Sequence, residues 1–189
     1  GPDALAPYVP AGALPRYQET RAAGEDTDPQ AVSLAVLSRL RARAVAGGFA
    51  GVRGITEGLE HRLEDCVRQA VTLEGLCDAL TTVRYPRARM RRLAMDAALG
   101  YGSPGAGPGW LALPELPPCL HLLAARREAL PLLAGAGLPV SPSLARLARE
   151  NDACARTAQA QAAAADLAAL CRRVPRSMGA AYTTPFLKR

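Results

Sequence analysis

Residues 56–100 read TEGLEHRLEDCVRQAVTLEGLCDALTTVRYPRARMRRLAMDAALG, and this stretch decides the fold. Its apolar residues recur at helical spacing in three successive segments. Thr56 and Thr72 are suited to cap the first two helices, Pro86 to open the third and Gly100 to end it. The stripe of the first helix consists of Leu59, Leu63, Cys66, Val67, Ala70 and Val71. We therefore predict three consecutive helices that pack through these stripes.

The third predicted helix is unusually rich in arginine. Its two apolar stripes consist of Met90, Leu93, Ala94 and Ala97, and of Ala88, Met95 and Leu99. The arginines lie on the two edges between the stripes, with Arg84, Arg87 and Arg91 on one edge and Arg89 and Arg92 on the other. A helix with two apolar faces is expected to pack on both sides, which leaves the edges exposed.

The two arginine edges differ in their acidic neighbours. Asp96 follows Arg92 by four residues, a spacing that favours an ion pair within the helix. No acidic residue occurs between Asp78 and Asp96, so the first edge has no such partner. We predict that all five arginines bind RNA, with Arg84, Arg87 and Arg91 as the stronger candidates. The alternative is that both edges are only solvated.

Composition predicts a helical core. Aromatic residues make up 4% of the 189 residues, so the core must consist mainly of Leu, Ala and Val. The formal charge of +6 permits RNA binding without requiring it. We predict a mainly α fold, namely one helical domain with a possible short two-stranded β element.

The titratable residues do not form a recognisable catalytic or metal-binding pattern. The five cysteines are widely spaced, and the two histidines are His61 and His121. The sequence therefore predicts no metal site, no catalytic residue and no bound cofactor, and it indicates reduced thiols in the cytoplasm. No apolar run reaches the length of a membrane span.

The rest of the chain divides at Asp28-Pro29, a strong helix start. We predict an extended linker at 1–28, with a short helix or loop at 16–28, and a helical domain at 29–189. Beyond the central stretch, residues 101–110 read as a loop, 119–124 and 138–140 as a parallel strand pair, and 141–173 as one long helix. The tail at 175–189 is predicted to be extended.

Two runs in the central stretch resemble the C-terminal half of the bacterial tRNA(Met) cytidine acetate ligases. They are Glu57-Gly58-Leu59-Glu60-His61-Arg62 and Arg84-Tyr85-Pro86-Arg87-Ala88-Arg89-Met90-Arg91-Arg92-Leu93, and the second is the more specific. Further landmarks are Tyr8-Val9-Pro10, Leu138-Pro139-Val140, Ala165-Asp166-Leu167 and Tyr182-Thr183-Thr184-Pro185. The chain departs from the family pattern at Ala168 and at 119–124.

The resemblance implies a non-catalytic part of an ATP-dependent ligase. In that family, ATP and a His-x-Gly-His-type motif belong to a nucleotide-binding domain N-terminal to the matched region. This chain is then expected to be inactive alone, to contact that domain, and to help bind the tRNA whose wobble cytidine is acetylated. The alternative is a structural or protein-interaction domain without RNA contact. Arginines neutralised by Glu57, Glu60 or Glu64 would favour that alternative, whereas a surface shared with Arg53, Arg126 or Arg127 would favour RNA.

Overall fold

The computed structural model describes residues 2–56, 58–183 and 187–188. Glu57, Thr184 and Pro185, which belong to the sequence runs above, lie outside them. The helices are α1 (Ala13–Ala22), α2 (Pro29–Ala46), α3 (Leu59–Gln69), α4 (Leu73–Leu80), α5 (Arg87–Leu99), α6 (Leu130–Leu133), α7 (Leu144–Leu147), α8 (Asp152–Leu170) and α9 (Ala180–Thr183), with 3₁₀ helices at Pro2–Tyr8 and Arg127–Ala129. None of the helices in these ranges is long and apolar enough to cross a membrane.

The three central helices occur where the sequence predicts them. Thr72 caps α4 by accepting a hydrogen bond from the Gly75 amide at 3.0 Å, and Gly100 ends α5 at a φ of +77°. Thr56 does not cap α3, because this helix begins at Leu59 behind Gly58, whose φ is +74°. A left-handed φ of this kind suits glycine, which lacks a Cβ.

Helices α2 to α5 enclose the main hydrophobic core. Its fully buried members include Leu40, Leu63, Leu76 and Met90, one from each of these helices. Leu167 and Cys171, at the end of α8, join the same core. The stripe predicted for α3 holds at Leu59, Leu63 and Val67, whereas Val71 is 82% exposed.

Short parallel strands correct the predicted fold class. The described residues contain β1 (Tyr101–Gly102) paired with β2 (Leu111–Ala112), β3 (Leu120–His121) with β5 (Val140–Ser141), and β4 (Ala124–Ala125) with β6 (Leu187–Lys188), all parallel. The prediction of a mainly α fold with one possible strand pair was wrong. The chain is α/β-like, although helices dominate, because strands of two residues leave no alternating pattern for a sequence analysis to detect.

Three further segments differ from their predicted conformation. Residues 1–15 were predicted to be extended, but they contain a 3₁₀ helix and the start of α1, and residues 24–28 hydrogen-bond to residues 171–174. The role of residues 1–28 as a linker stays a prediction. The tail predicted to be extended at 175–189 contains α9. The single helix predicted at 141–173 is broken, because Asn151 starts α8 by accepting a hydrogen bond from the Cys154 amide at 2.9 Å. Such a cap fixes a new helix start.

Candidate nucleic-acid interface

The edge of α5 that carries Arg87 and Arg91 faces α4. Arg87 forms ion pairs with Glu74 and Asp78, and Arg91 pairs with Glu74. Hydrogen bonds from Arg91 and Arg87 lower the pKa of Glu74. This edge has no acidic partner on α5, as the sequence predicts, but it is not free of ion pairs, because Glu74 and Asp78 come from the preceding helix.

Exposure shows that this network is a surface feature. The Glu74 and Asp78 side chains are 56% and 63% exposed, and water and salt weaken ion pairs of this kind. Arg87 and Arg91 are nevertheless already engaged with carboxylates. An external phosphate would have to compete with Glu74 and Asp78 for them.

A tight turn before α5 positions the second group of arginines. The Thr82 amide donates to the Tyr85 carbonyl at 3.0 Å, and the Tyr85 amide donates to the Thr82 carbonyl at 3.1 Å. The Tyr85 hydroxyl lies 3.2 Å from the hydroxyl of Thr56. The guanidinium carbons of Arg84 and Arg89 lie 5.5 and 5.0 Å from the centroid of the Tyr85 ring. Cation–π attraction holds both guanidinium groups at this ring without neutralising their charge.

Asp96 pairs with an arginine outside its own helix. Arg53 donates to both oxygens of the Asp96 carboxylate, at 3.0 to 3.1 Å. The predicted Arg92–Asp96 ion pair is not formed. Asp96 is only 17% exposed, and burial raises its pKa although Arg53 and Arg92 act in the opposite direction.

Arg53, Arg89 and Arg92 line one open cleft of about 240 Å³, together with Gly54, Leu93 and Asp96. Three cations thus meet one carboxylate, and that carboxylate is already bound by Arg53. Among the described residues, Arg89 and Arg92 form no ion pair within 4 Å. We call this surface, with Arg84 and Tyr85 beside it, the arginine cleft. It is the best-placed candidate for an anion-binding site on α5.

The structure therefore changes the order of the sequence-predicted candidates, because Arg84 keeps its place while Arg89 and Arg92 move ahead of Arg87 and Arg91. Arg84, Arg89 and Arg92 have no carboxylate of the described residues in ion-pair contact, whereas Arg87 and Arg91 are paired. Of the three acids expected to neutralise the arginines in a structural domain, Glu60 and Glu64 lie beside His61 and Arg68 instead, and Glu57 lies outside the described residues. Arg53 does share a surface with α5, on the Arg89 side. The binding of RNA by any of these residues stays a prediction.

The two histidines have different surroundings. His61 is 82% exposed, and His121 Nδ1 lies 3.0 Å from the Gln161 side-chain oxygen. Within the described ranges, no three His, Cys, Asp or Glu side chains are grouped so that they could hold a metal ion.

A family model fixes the class of protein. The model described as HIGH Nucleotidyl Transferase matches residues 2–170, which is most of the chain. The chain belongs to this family, and its parallel strand pairs agree with that assignment. No curated protein matches the chain significantly.

Solved structures give a more particular likeness. The structure of Thermotoga maritima TmcAL bound with alpha-thio ATP superposes with a TM-score of 0.77 at 16% identity, over 96% of this chain and 47% of that one. The apo form of the same protein gives 0.73 at 18% identity, over 96% and 46%. The likeness shows a shared fold. The chain spans less than half the length of these proteins.

The residues of this chain do not form a binding site for the catalytic nucleotide that the family name implies. The sequence has no His-x-Gly-His run, since its two histidines stand at positions 61 and 121. The glycines at 105, 107 and 109 lead through Trp110 into β2 and not to the N-terminus of a helix. A triphosphate site of the glycine-loop type needs that helix N-terminus.

Proposed function

We propose that the chain is the C-terminal, tRNA-binding part of a tRNA(Met) cytidine acetate ligase. The family match, the fold shared with TmcAL and the run at 84–93 support this proposal. The TmcAL structure holds alpha-thio ATP, and ATP and catalysis would belong to a nucleotide-binding domain that precedes the matched region in the whole enzyme. This chain would contribute contacts to the tRNA and none to the reacting groups.

The single observation that carries the proposal is the arginine cleft. Arg89 and Arg92 line it with no carboxylate in ion-pair contact among the described residues, and Arg53 lines its other side. Arginines without carboxylate partners on one surface attract anions from solution. Phosphates of an RNA backbone supply such anions in series, and arginine guanidinium groups bind phosphate oxygens in pairs.

The geometry also sets the kind of contact that RNA would make. Arg84 and Arg89 are held by the Tyr85 ring, so less conformational entropy is lost when they bind a phosphate. Phosphate contacts position an RNA without reading its sequence. The arginine cleft would therefore hold different tRNAs almost equally, and the choice of tRNA(Met) would rest with other parts of the enzyme.

The test measures tRNA binding by the 189-residue chain at several salt concentrations. Arg89→Ala and Arg92→Ala should each weaken binding and reduce the slope of log affinity against log salt by about 0.7–0.9. Arg87→Ala is the matched control, because it removes the same charge from the same helix but from a side chain already paired with Glu74 and Asp78. Its effect on the slope should be smaller.

Two results would contradict the proposal. Failure of the chain to bind tRNA at low salt would remove the RNA role altogether. Equal slopes for Arg87→Ala, Arg89→Ala and Arg92→Ala would show that only overall charge matters. If Arg87→Ala instead lowered the melting temperature without changing the slope, the Glu74 network would be purely structural, which is the alternative function predicted for that edge.

A further inference from the structure

Helix α2 carries two arginines that the arginine cleft does not include. Arg39 and Arg43 are four residues apart and so lie on the same face of the helix. They line an open cavity of about 470 Å³ with Pro108, Gly109 and Trp110 on the opposite side. The other lining residues are small, namely Ala42, Ala46, Gly47, Gly48 and Ala98. None of these lining residues is acidic.

Arg43 is held in place by contacts that leave its charge uncompensated. Its guanidinium carbon lies 3.8 Å from the centroid of the Trp110 ring, and it donates to the Gly109 carbonyl at 3.2 Å. Partial burial lowers its pKa, and no carboxylate opposes that effect. A guanidinium has five N–H donors, so most of them remain for a ligand.

Arg39 adds a second unpaired cation. It is exposed and forms no ion pair with a carboxylate of the described residues. Like charges four residues apart destabilise a helix, so this pair is unfavourable for the fold alone. Glu64 approaches Gly48 at the border of the cavity, but its carboxylate is bound by Arg68 at 2.5 Å.

The end of α2 opposes an anion only weakly. The C-terminus of a helix carries about half a negative charge, whereas Arg39 and Arg43 carry two full positive charges. The amide of Gly48 also donates a hydrogen bond to the Arg43 carbonyl at 3.1 Å. The two guanidinium groups therefore dominate the electrostatics of the cavity.

We propose that the cavity between α2 and the 108–110 segment is a second phosphate-binding site, in which Arg39 and Arg43 hold the phosphate group of a ligand. Arg43, fixed by Trp110, supplies a preorganised donor, and Arg39 closes on the phosphate from solvent. The small side chains of the other lining residues leave room for the group that carries the phosphate. That group can be a free phosphorylated metabolite or the backbone of a bound RNA, and the experiment separates these two sources.

Trp110 is the only tryptophan of the chain, so tryptophan fluorescence reports on the surroundings of this one residue, which lines the cavity. The 189-residue chain is titrated with inorganic pyrophosphate while Trp110 emission is followed, and with tRNA by filter binding. The variants are Arg39→Ala, Arg39→Lys and Arg149→Ala. Arg149 is an exposed arginine that does not line the cavity and controls for the lost charge. Arg43 is left unchanged because it contacts the reporter.

A free phosphate ligand is supported if pyrophosphate binding is saturable and Arg39→Ala weakens its affinity roughly tenfold. Arg39→Lys and Arg149→Ala should then weaken the affinity much less. The same order of variants in tRNA affinity alone supports an RNA backbone. Equal behaviour of Arg39→Ala and Arg149→Ala with both ligands, or no saturable binding of either, overturns the proposal. Arg89→Ala keeps the two proposals apart, because it should weaken tRNA binding and leave the pyrophosphate response unchanged.

Discussion

At the scale of single residues, Asp96 experiences two opposing effects. Burial disfavours its charged form, whereas the two-oxygen contact with Arg53 favours it. Burial is the larger effect, and the pKa of Asp96 is raised. The carboxylate thus costs stability when it ionises, although it holds Arg53 at the arginine cleft. This arrangement sacrifices stability to fix a cation in place.

The raised pKa of Asp96 predicts how stability depends on pH. An unfolded Asp has a pKa of about 3.9, and the folded protein binds this proton more tightly. Asp96→Asn cannot titrate. We therefore consider the difference in unfolding free energy, Asp96→Asn minus the unsubstituted chain. This difference should rise as pH increases from about 3 and level off above the pKa of Asp96 in the folded protein. Urea denaturation at a series of pH values measures this difference.

A second variant sharpens the pH test. In an Arg53→Ala background the pKa of Asp96 should rise further, so the increase should extend to higher pH. A difference that falls with rising pH while Arg53 is present would mean that the Arg53 contact outweighs burial. Asp96 would then be an ordinary stabilising ion-pair partner.

At the scale of helices, α3 and α5 both bury leucines in the main core, among them Leu63 and Leu93. Leu63 and Leu93 are 0% and 4% exposed. Leu63→Ala and Leu93→Ala should each lower the unfolding free energy by about 2–5 kcal/mol, because burial is lost and a cavity is left. Val71→Ala is the control, since Val71 is 82% exposed despite its place in the predicted stripe. Denaturant melts of all three variants decide whether the core contains the whole predicted stripe or only the residues that are buried in the structure.

Two outcomes of those melts would contradict the described packing. Leucine variants within about 0.5 kcal/mol of the unsubstituted chain would mean that the two helices do not meet through these residues. A Val71→Ala variant as unstable as Leu63→Ala would mean that the whole predicted stripe is buried.

Helix ends could be predicted where a local signal decides them. Asp28 accepts from the Gln30 amide at 2.8 Å, and Thr72 caps α4, as their positions before apolar periodic segments predict. The break before α8 was missed, because Asn151 stands inside a run that keeps helical periodicity. The strand pairs beyond β3 and β5 were missed because two residues carry no periodic signal.

The arginine contacts could not be predicted from spacing along the chain. Arg87 pairs with Glu74, 13 residues earlier, and Asp96 pairs with Arg53, 43 residues earlier. The four-residue rule considers only partners on the same helix, so it assigned Asp96 to Arg92. Sequence did identify the arginine-rich helix, whereas the charge that remains free on it depends on how the helices pack.

At the scale of the whole molecule, the segment that precedes α2 is joined to the segment that follows α8. The Asp28 amide donates to the Cys171 carbonyl at 2.8 Å, Arg173 donates to Asp26 at 3.0 Å, and Val174 donates to Gly24 at 2.9 Å, all through the backbone. The side chains of Arg173 and Arg176 pair with Asp26 and Glu25. The entry to α2 is thereby fixed to the exit of α8.

This junction predicts different effects for two neighbouring arginines. Asp26 is 16% exposed, and its second carboxylate oxygen is buried without a described partner, so it depends on Arg173. Arg173→Ala leaves a nearly buried carboxylate unpaired and should speed amide exchange at Asp28, Arg173 and Val174 roughly tenfold. Arg176→Ala should have less effect, because Glu25 is 37% exposed and lies 4.0 Å from Arg172. Unchanged hydrogen exchange in Arg173→Ala would show that the backbone hydrogen bonds alone hold the junction. Faster exchange throughout α2 to α5 would show that the junction unfolds together with the main core.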